Sequence, residues 1–402
     1  MMNFSPFSIA NLPKIEFGAG TISTLPLHIR YFGKRVMIVT GAKSFIESSH
    51  WKKLLSGLLI EGIEYTQVTI SGEPSPTLID EIVTTHQQHA FDVVVGIGGG
   101  SVIDAAKAIA GLLPEGESVL NYLEDVGKGL PYTGPSLPFI AVPTTAGTGS
   151  EATKNAVLSE QQGEHGDGGF KKSFRHEMLV ARIAVIDPEL MQACPKELTA
   201  AQGMDAFTQL LESYVSLKAN PLTDALAWSG LEAVSEGFMN ACDGGGSDKA
   251  QQGRAAMAYA ALISGITLAQ VGLGSVHGLA QPFGSLFPIP HGVACGTTLA
   301  EATSINLDAL QQRAPDSPAI AKYAKVARLL GETELDDVAA AEKLIEMLRE
   351  WTEQLLIPRL SHYGVIEGDI NRIVANARNN SMKTNPVELT DDEIATIVRR
   401  RL

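Results

Sequence analysis

Short β-branched and apolar runs, each closed by glycine or proline, organise the first half of the chain. Arg35-Val36-Met37-Ile38-Val39-Thr40 ends at Gly41 and predicts a strand feeding a loop, then a helix over residues 51–59. Residues 64–70 predict a second strand. After Pro74-Ser75-Pro76, the positions Leu78, Ile79, Ile82 and Val83 fall at helical spacing within residues 76–89. Phe91-Asp92-Val93-Val94-Val95-Gly96-Ile97 is a near-continuous apolar run, the pattern of a strand buried on both faces of a parallel sheet. An amphipathic helix over residues 102–110 and a buried strand over residues 138–142 follow. A last strand, residues 182–186, is stopped by Asp187-Pro188. Beyond Cys194-Pro195 no strand pattern recurs, and helical periods run to Leu402. The pattern predicts an α/β N-terminal domain with a parallel sheet, residues 1–192, and an all-helical C-terminal domain, residues 193–402. The Gly- and acid-rich residues 161–169 read as a mobile hairpin, and Gly244-Gly245-Gly246-Ser247 as a loop between helices.

Residues 255–300 contain no Asp, Glu, Lys or Arg, in a chain whose charged fraction is 19%. Such a run belongs in an interior. Its first half is rich in Ala and Gly and carries Ser264, Thr267, Gln270 and Ser275 without basic or aromatic anchors. It therefore reads as a buried helix and not a membrane span. The run holds His277 and, between Pro290 and Gly292, His291. An unpaired buried polar group costs about 1–3 kcal/mol, so both imidazoles need partners there. They are satisfied core histidines or they are ligands.

Composition narrows the classes. A chain of 402 residues exceeds one ordinary core, in line with two domains. A net charge of −14 argues against an extended nucleic-acid footprint, which needs a basic face. Cys194, Cys242 and Cys295 are far apart and odd in number, so they form neither a disulfide framework nor a Cys-x-x-Cys metal clip. Met1-Met2-Asn3-Phe4-Ser5-Pro6 has no basic segment leading into an apolar one. A cytoplasmic protein is expected.

Two loops and one helix carry the candidate chemistry. Gly98-Gly99-Gly100-Ser101 joins a buried strand to a helix, where unpaired amides and the positive dipole end suit a phosphate. Pro143-Thr144-Thr145-Ala146-Gly147-Thr148-Gly149-Ser150-Glu151 follows a second buried strand and is dense in hydroxyls and glycines. Two such loops share one sheet edge, where ligands of doubly wound sheets bind. The first half thus reads as a dinucleotide-binding domain, although Gly-x-Gly-x-x-Gly is missing. In Gly203-Met204-Asp205-Ala206-Phe207-Thr208-Gln209, Asp205 and Gln209 are four residues apart and share a helical face. One carboxylate and two imidazoles match a catalytic zinc site or an iron facial triad. No local spacing motif decides between that reading and a capping Asp with two core histidines.

These motifs, in this order and with Phe17-Gly18-Ala19-Gly20, Asp104, Lys107, Ile186-Asp187-Pro188-Glu189-Leu190 and Ile289-Pro290-His291-Gly292, resemble the iron-containing (group III) alcohol dehydrogenase family over nearly the whole chain. The resemblance implies NAD(P) bound to the α/β domain, a helical metal and substrate domain, and an active cleft between them. It implies that Asp205, His277 and His291 hold a divalent metal, iron or zinc, and form the catalytic centre. It also implies that Gly41, Gly98, Gly99, Gly100, Ser101, Asp104, Thr144, Thr145 and Thr148 line the cofactor, with Asn155, Val157 and Lys171 in contact with cofactor or cleft.

Three positions depart from the family. Gln209 stands where a histidine usually supplies the fourth metal ligand, and its neutral carbonyl oxygen is the poorer donor. Gln281 stands where a histidine commonly helps relay a proton, and Gln cannot titrate. Gly41, followed by Ala42 and Lys43, replaces the acid that many NAD-preferring relatives use on the ribose, so NADP(H) is expected to be tolerated or preferred. The expected activity is reversible oxidation of a small alcohol to an aldehyde or ketone by a homo-oligomer, a dimer or larger, with no nucleic-acid or membrane partner. Within the superfamily, glycerol-dehydrogenase-like and maleylacetate-reductase-like enzymes are the alternatives. A dehydroquinate-synthase-like lyase fits the motifs less well. A catalytically silent nucleotide-binding member is the alternative from another class.

Overall fold

The computed structural model describes residues 6–124, 126–160, 169–331 and 334–402. Most of the 161–169 connection, and most of the N-terminal residues that bear on a leader, lie outside the described residues. The chain divides into two compact units. One comprises Ala10–Cys194 with Gly245–Ala258, and the other Met1–Ile9, Pro195–Gly244 and Tyr259–Leu402. The segment Gly245–Ala258 therefore groups with the α/β unit although it lies beyond residue 192.

The α/β unit is built on strands β1 (Lys14–Phe17), β2 (Arg35–Gly41), β3 (Glu64–Ile70), β4 (Val93–Gly98), β5 (Phe139–Pro143), β6 (Asn155–Glu160), β7 (Phe170–Arg175) and β8 (Ile183–Ile186). Its helices are α1 (Leu25–Phe32), α2 (Ser49–Ile60), α3 (Pro76–His86) and α4 (Gly100–Leu112). Six strands form one sheet in the order β1-β8-β5-β4-β2-β3, and every pair in it is parallel. Strand pleating sends alternate side chains to opposite faces. Val36, Ile38, Val93, Val95 and Ile97 enter a core with Leu25, Ile29, Leu54 and Leu58 of α1 and α2. Met37, Val39 and Val94 enter the other, with Ile79 and Val83 of α3 and Ile103 and Ala106 of α4. Burial on both faces is why these strands read as unbroken apolar runs.

Ser48 and Ser75 start α2 and α3 by accepting from the backbone N–H groups of Trp51 and Leu78. Helix α4 lies close on β4, where a Cβ at Gly96 would come within 2.8 Å of the Ala106 Cβ. From β2 the order runs to β3 on one side and through β4 to β5 on the other. The strand order therefore reverses between β2 and β4, whose last residues are Gly41 and Gly98. Doubly wound sheets bind ligands at such a point, beyond the carboxyl ends of the strands. Strands β6 and β7 form a separate antiparallel pair.

The second unit is helical among the described residues. It contains α5 (Lys196–Val215), α6 (Pro221–Asp243), the C-terminal part of α7 (Asp248–Val271), α8 (Ser275–Leu286), α9 (His291–Arg313), α10 (Pro318–Leu330), α11 (Asp337–Gln354), α12 (Ile370–Asn376) and α13 (Asp391–Arg399). Helix α5 is buried without a break from Gly203 to Val215 and packs against α6 and α9. A helix apolar all round belongs inside a protein, which is why its charged residues stand out. Helix α7 is long and apolar enough to cross a membrane, and 67% of its apolar window is buried inside the protein.

Candidate metal centre and nucleotide loops

Four residues of the helical unit bring ligand atoms within 4.8 Å of one another: Asp205, His277, His291 and Cys295. Asp205 comes from the middle of α5, His277 from the first turn of α8, and His291 opens α9 with Cys295 one turn later. The His277 Nε2 lies 3.2 Å from Asp205 Oδ1, and His291 Nε2 lies 3.6 Å from the same oxygen. The Cys295 Sγ is 3.6 Å from His277 Nε2 and 3.9 Å from His291 Nε2.

Helix α9 meets α5 so closely that a Cβ at Gly292 would come within 2.5 Å of the Ala201 carbonyl oxygen. The glycine between His291 and the rest of α9 thus allows the approach.

Glu212 holds the arrangement in register. One of its oxygens accepts from the Val276 N–H at 2.7 Å, and the other lies 2.7 Å from His277 Nδ1. A carboxylate on Nδ1 fixes the imidazole tautomer and leaves the Nε2 lone pair for the cluster. The same carboxylate sits at the N-terminus of α8, where the helix dipole favours an anion.

Burial opposes charge on Asp205, but the imidazoles of His291 and His277 hold its carboxyl below the usual range. Burial also opposes the imidazolium of His277. Its neighbours Cys295, Asp205 and Glu212 outweigh that and raise it well above its ordinary value.

The three side chains expected from the sequence, Asp205, His277 and His291, are brought together. Gln209, the fourth ligand expected from the sequence, lies beside the cluster. Its Nε2 donates to Asp205 Oδ1 at 3.0 Å, and its Oε1 accepts from the Ser264 hydroxyl at 2.6 Å. So held, Gln209 turns a donor toward the cluster and spends its oxygen elsewhere. Sequence reasoning misses Glu212 and Cys295. Both lie at readable spacings, seven residues after Asp205 and four after His291. A buried carboxylate and two imidazoles whose ligand atoms converge, with Glu212 behind one of them, are a donor set that fits a divalent ion.

In the α/β unit the two glycine loops meet. A Cβ at Gly98 would lie 2.6 Å from Val102, one at Gly99 3.4 Å from Thr145, and one at Gly100 2.9 Å from the Thr148 hydroxyl. No side chain caps the N-terminus of α4, so its first amides suit a phosphate. That arrangement fits a pyrophosphate.

Asp104, expected to line the cofactor, is held by its own chain. It accepts from the Ser150 hydroxyl at 2.5 Å and the Val157 N–H at 3.2 Å, and pairs with Lys107 at 3.5 Å. Lys107 is fully buried and donates to Ser150 Oγ, Thr153 Oγ1 and the Asn155 carbonyl at 2.7, 2.9 and 2.7 Å. Burial pushes the Asp104 carboxyl up and the Lys107 ammonium down. Lys171 pairs with Glu73 at 2.5 Å. The Ile186-Asp187-Pro188 motif has a structural use: the Asp187 carboxylate accepts from the Ile22 and Glu189 N–H groups.

A family model described as iron-containing alcohol dehydrogenase matches residues 13–188, and one for the C-terminal part of that family matches residues 199–402. The chain belongs to the iron-containing alcohol dehydrogenase family. It is 32% identical to alcohol dehydrogenase 4 of Schizosaccharomyces pombe over 98% of this chain and 89% of that one. It is 31% identical to an NAD-dependent methanol dehydrogenase of Bacillus methanolicus, covering 97% of this chain and 98% of the other. The crystal structure of a 1,3-propanediol oxidoreductase superposes with a TM-score of 0.88 at 30% identity, over 99% of this chain and all of that one. Membership brings NAD(P) and a metal as cofactors and alcohol oxidation as the chemistry of the fold.

Proposed function

We propose that this chain interconverts a small primary or secondary alcohol and its aldehyde or ketone with NAD(P). What carries the reading is the convergence of Asp205, His277 and His291 on one point in a chain of this family. In this reading residues 1–192 are the NAD(P)-binding domain and residues 193–402 the metal and substrate domain. Gly41, Gly98, Gly99, Gly100, Ser101, Thr144, Thr145 and Thr148 line the cofactor, while Asn155, Val157, Asp104 and Lys171 shape the walls behind it.

When bound, a divalent ion supplies Lewis-acid polarisation of the substrate oxygen, and the nicotinamide supplies or takes the hydride. Asp205, His277 and His291 would hold the ion; Glu212, on His277 Nδ1, aims Nε2 toward it, and Gln209 steadies Asp205 through its amide N–H. The amides at the start of α4 hold the pyrophosphate. Gln281 neither gives nor takes a proton, so the alcohol proton leaves by solvent or by the ribose hydroxyls. Gly41 and Lys43 favour tolerance of a 2′-phosphate. The enzyme acts in the cytoplasm as a homodimer or larger assembly.

A panel of short alcohols and aldehydes, followed by nicotinamide absorbance before and after chelation, tests this. Turnover that chelation abolishes and zinc or iron restores is expected. Full turnover in a metal-free sample removes the ion from the mechanism. Silence across the panel despite cofactor binding makes the chain a non-catalytic member. NADP(H) more than about tenfold worse than NAD(H) overturns the cofactor preference.

A further inference from the structure

We propose that Cys295 is the fourth metal ligand of this chain, taking the place that Gln209 vacates, and that its thiolate biases the site toward zinc over iron. The inference rests on the reading that the cluster binds a divalent ion, and it names a donor which that reading does not use. Tetrahedral zinc with bonds of about 2.0–2.1 Å to nitrogen and oxygen and about 2.3 Å to sulfur sets its ligands apart by about 3.3 Å for N···O and about 3.6 Å for S···N. The observed N···O separations are 3.2 and 3.6 Å, and the S···N separations are 3.6 and 3.9 Å. Four of the six edges of a ligand tetrahedron are thus within about 0.3 Å of the lengths expected around one zinc ion, and all four ligand atoms lie within 4.8 Å of one another. A thiol merely hydrogen-bonded to a core histidine accounts for one of the contacts. Here the sulfur approaches both imidazoles.

Chemistry and helix geometry point the same way. His291 and Cys295 are four residues apart on α9, so both donors project from one face. Gln209 turns its N–H toward the cluster and has its oxygen engaged by Ser264. On ligation the Cys295 S–H bond breaks, its proton passes to solvent, and a sulfur–metal bond forms. The thiolate and the Asp205 carboxylate together then match the two positive charges of the ion in a buried place. Soft thiolate favours zinc, and iron(II) already binds more weakly to mixed N, O and S sites. With four protein donors, substrate oxygen enters as a fifth.

The experiment uses the full chain loaded separately with zinc and with cobalt(II). Zinc-edge X-ray absorption of the unmodified protein is expected to show one sulfur at about 2.3 Å, and the cobalt form a sulfur-to-metal charge-transfer band. Cys295→Ser is expected to lose the band and to bind zinc at least about tenfold more weakly, while Gln209→Ala keeps the band. One bound ion with only nitrogen and oxygen neighbours overturns the proposal, as does a band that survives Cys295→Ser. Failure of the unmodified chain to bind any divalent ion overturns the metal site itself. The absorption measurement needs no variant, so it decides the question even if Cys295→Ser fails to fold.

Discussion

Replacing Glu212 by Gln tests the metal centre through a side chain that does not itself touch the ion. The carboxylate makes two contacts of 2.7 Å, one to the Val276 N–H and one to His277 Nδ1. Gln offers one acceptor where the carboxylate offers two. If its oxygen stays on Val276, its NH2 faces Nδ1, which must then accept, and the ring proton moves to Nε2. That atom faces Asp205 at 3.2 Å and can donate to it, so the metal-free protein keeps its stability while the ligand lone pair disappears. If the amide turns over, NH2 meets the Val276 N–H, and one charge-assisted bond of about 1.5–3 kcal/mol is lost outright. Partners behind metal-bound histidines are typically worth about 10–100-fold in affinity, or about 1.4–2.7 kcal/mol. E212Q is therefore expected to bind zinc about 10–100-fold more weakly in competition with a chromophoric chelator. Urea unfolding of the metal-free protein separates the two amide orientations. Affinity within about twofold of the parent, with unchanged stability, refutes the orienting role.

Other sites make independent predictions. Burial raises Glu151 from 4.5 to about 7. Its contribution to stability is therefore full below pH 4.5 and lost as pH rises through about 7, a change of about 3 kcal/mol at 1.36 kcal/mol per unit. E151Q should thus gain on the parent by that amount between pH 4.5 and 8 in urea unfolding, and a pH-independent difference contradicts it. Lys107→Met leaves Asp104 buried without its cation and should cost about 3–5 kcal/mol in the same measurement; a loss below about 1 kcal/mol contradicts the buried pair. Gly292→Ala drives a Cβ into the Ala201 backbone, which should cost about 1–3 kcal/mol and weaken zinc binding by displacing His291. Unchanged zinc affinity means that α9 yields elsewhere.

What is legible in the sequence is whatever hydropathy writes strongly. Strands β2, β4 and β5 are buried on both faces and stand out as apolar runs, and α4 stands out by its spacing after the glycines. Strand β1 leaves no such trace, because none of its side chains is buried and only backbone pairing with β8 defines it. Strands β6 and β7 escape for a similar reason, being only partly buried. The convergence of Asp205, His277 and His291 is inferred from residue type and family likeness. Glu212 is passed over because a carboxylate late in a helix reads as solvated, and Cys295 because a lone cysteine in an apolar helix reads as a small hydrophobe. The bonds of Asp104 to Ser150, Val157 and Lys107 are a pattern that spacing does not encode.

Lys107 invites one misreading. A lysine two turns into the helix behind a glycine turn looks like a hand for phosphate, yet each of its three protons already has an oxygen within its own fold. Lys107 is therefore a fixture of the fold and not a hand for the cofactor. Lysine-directed acylating reagents should accordingly pass this buried side chain by.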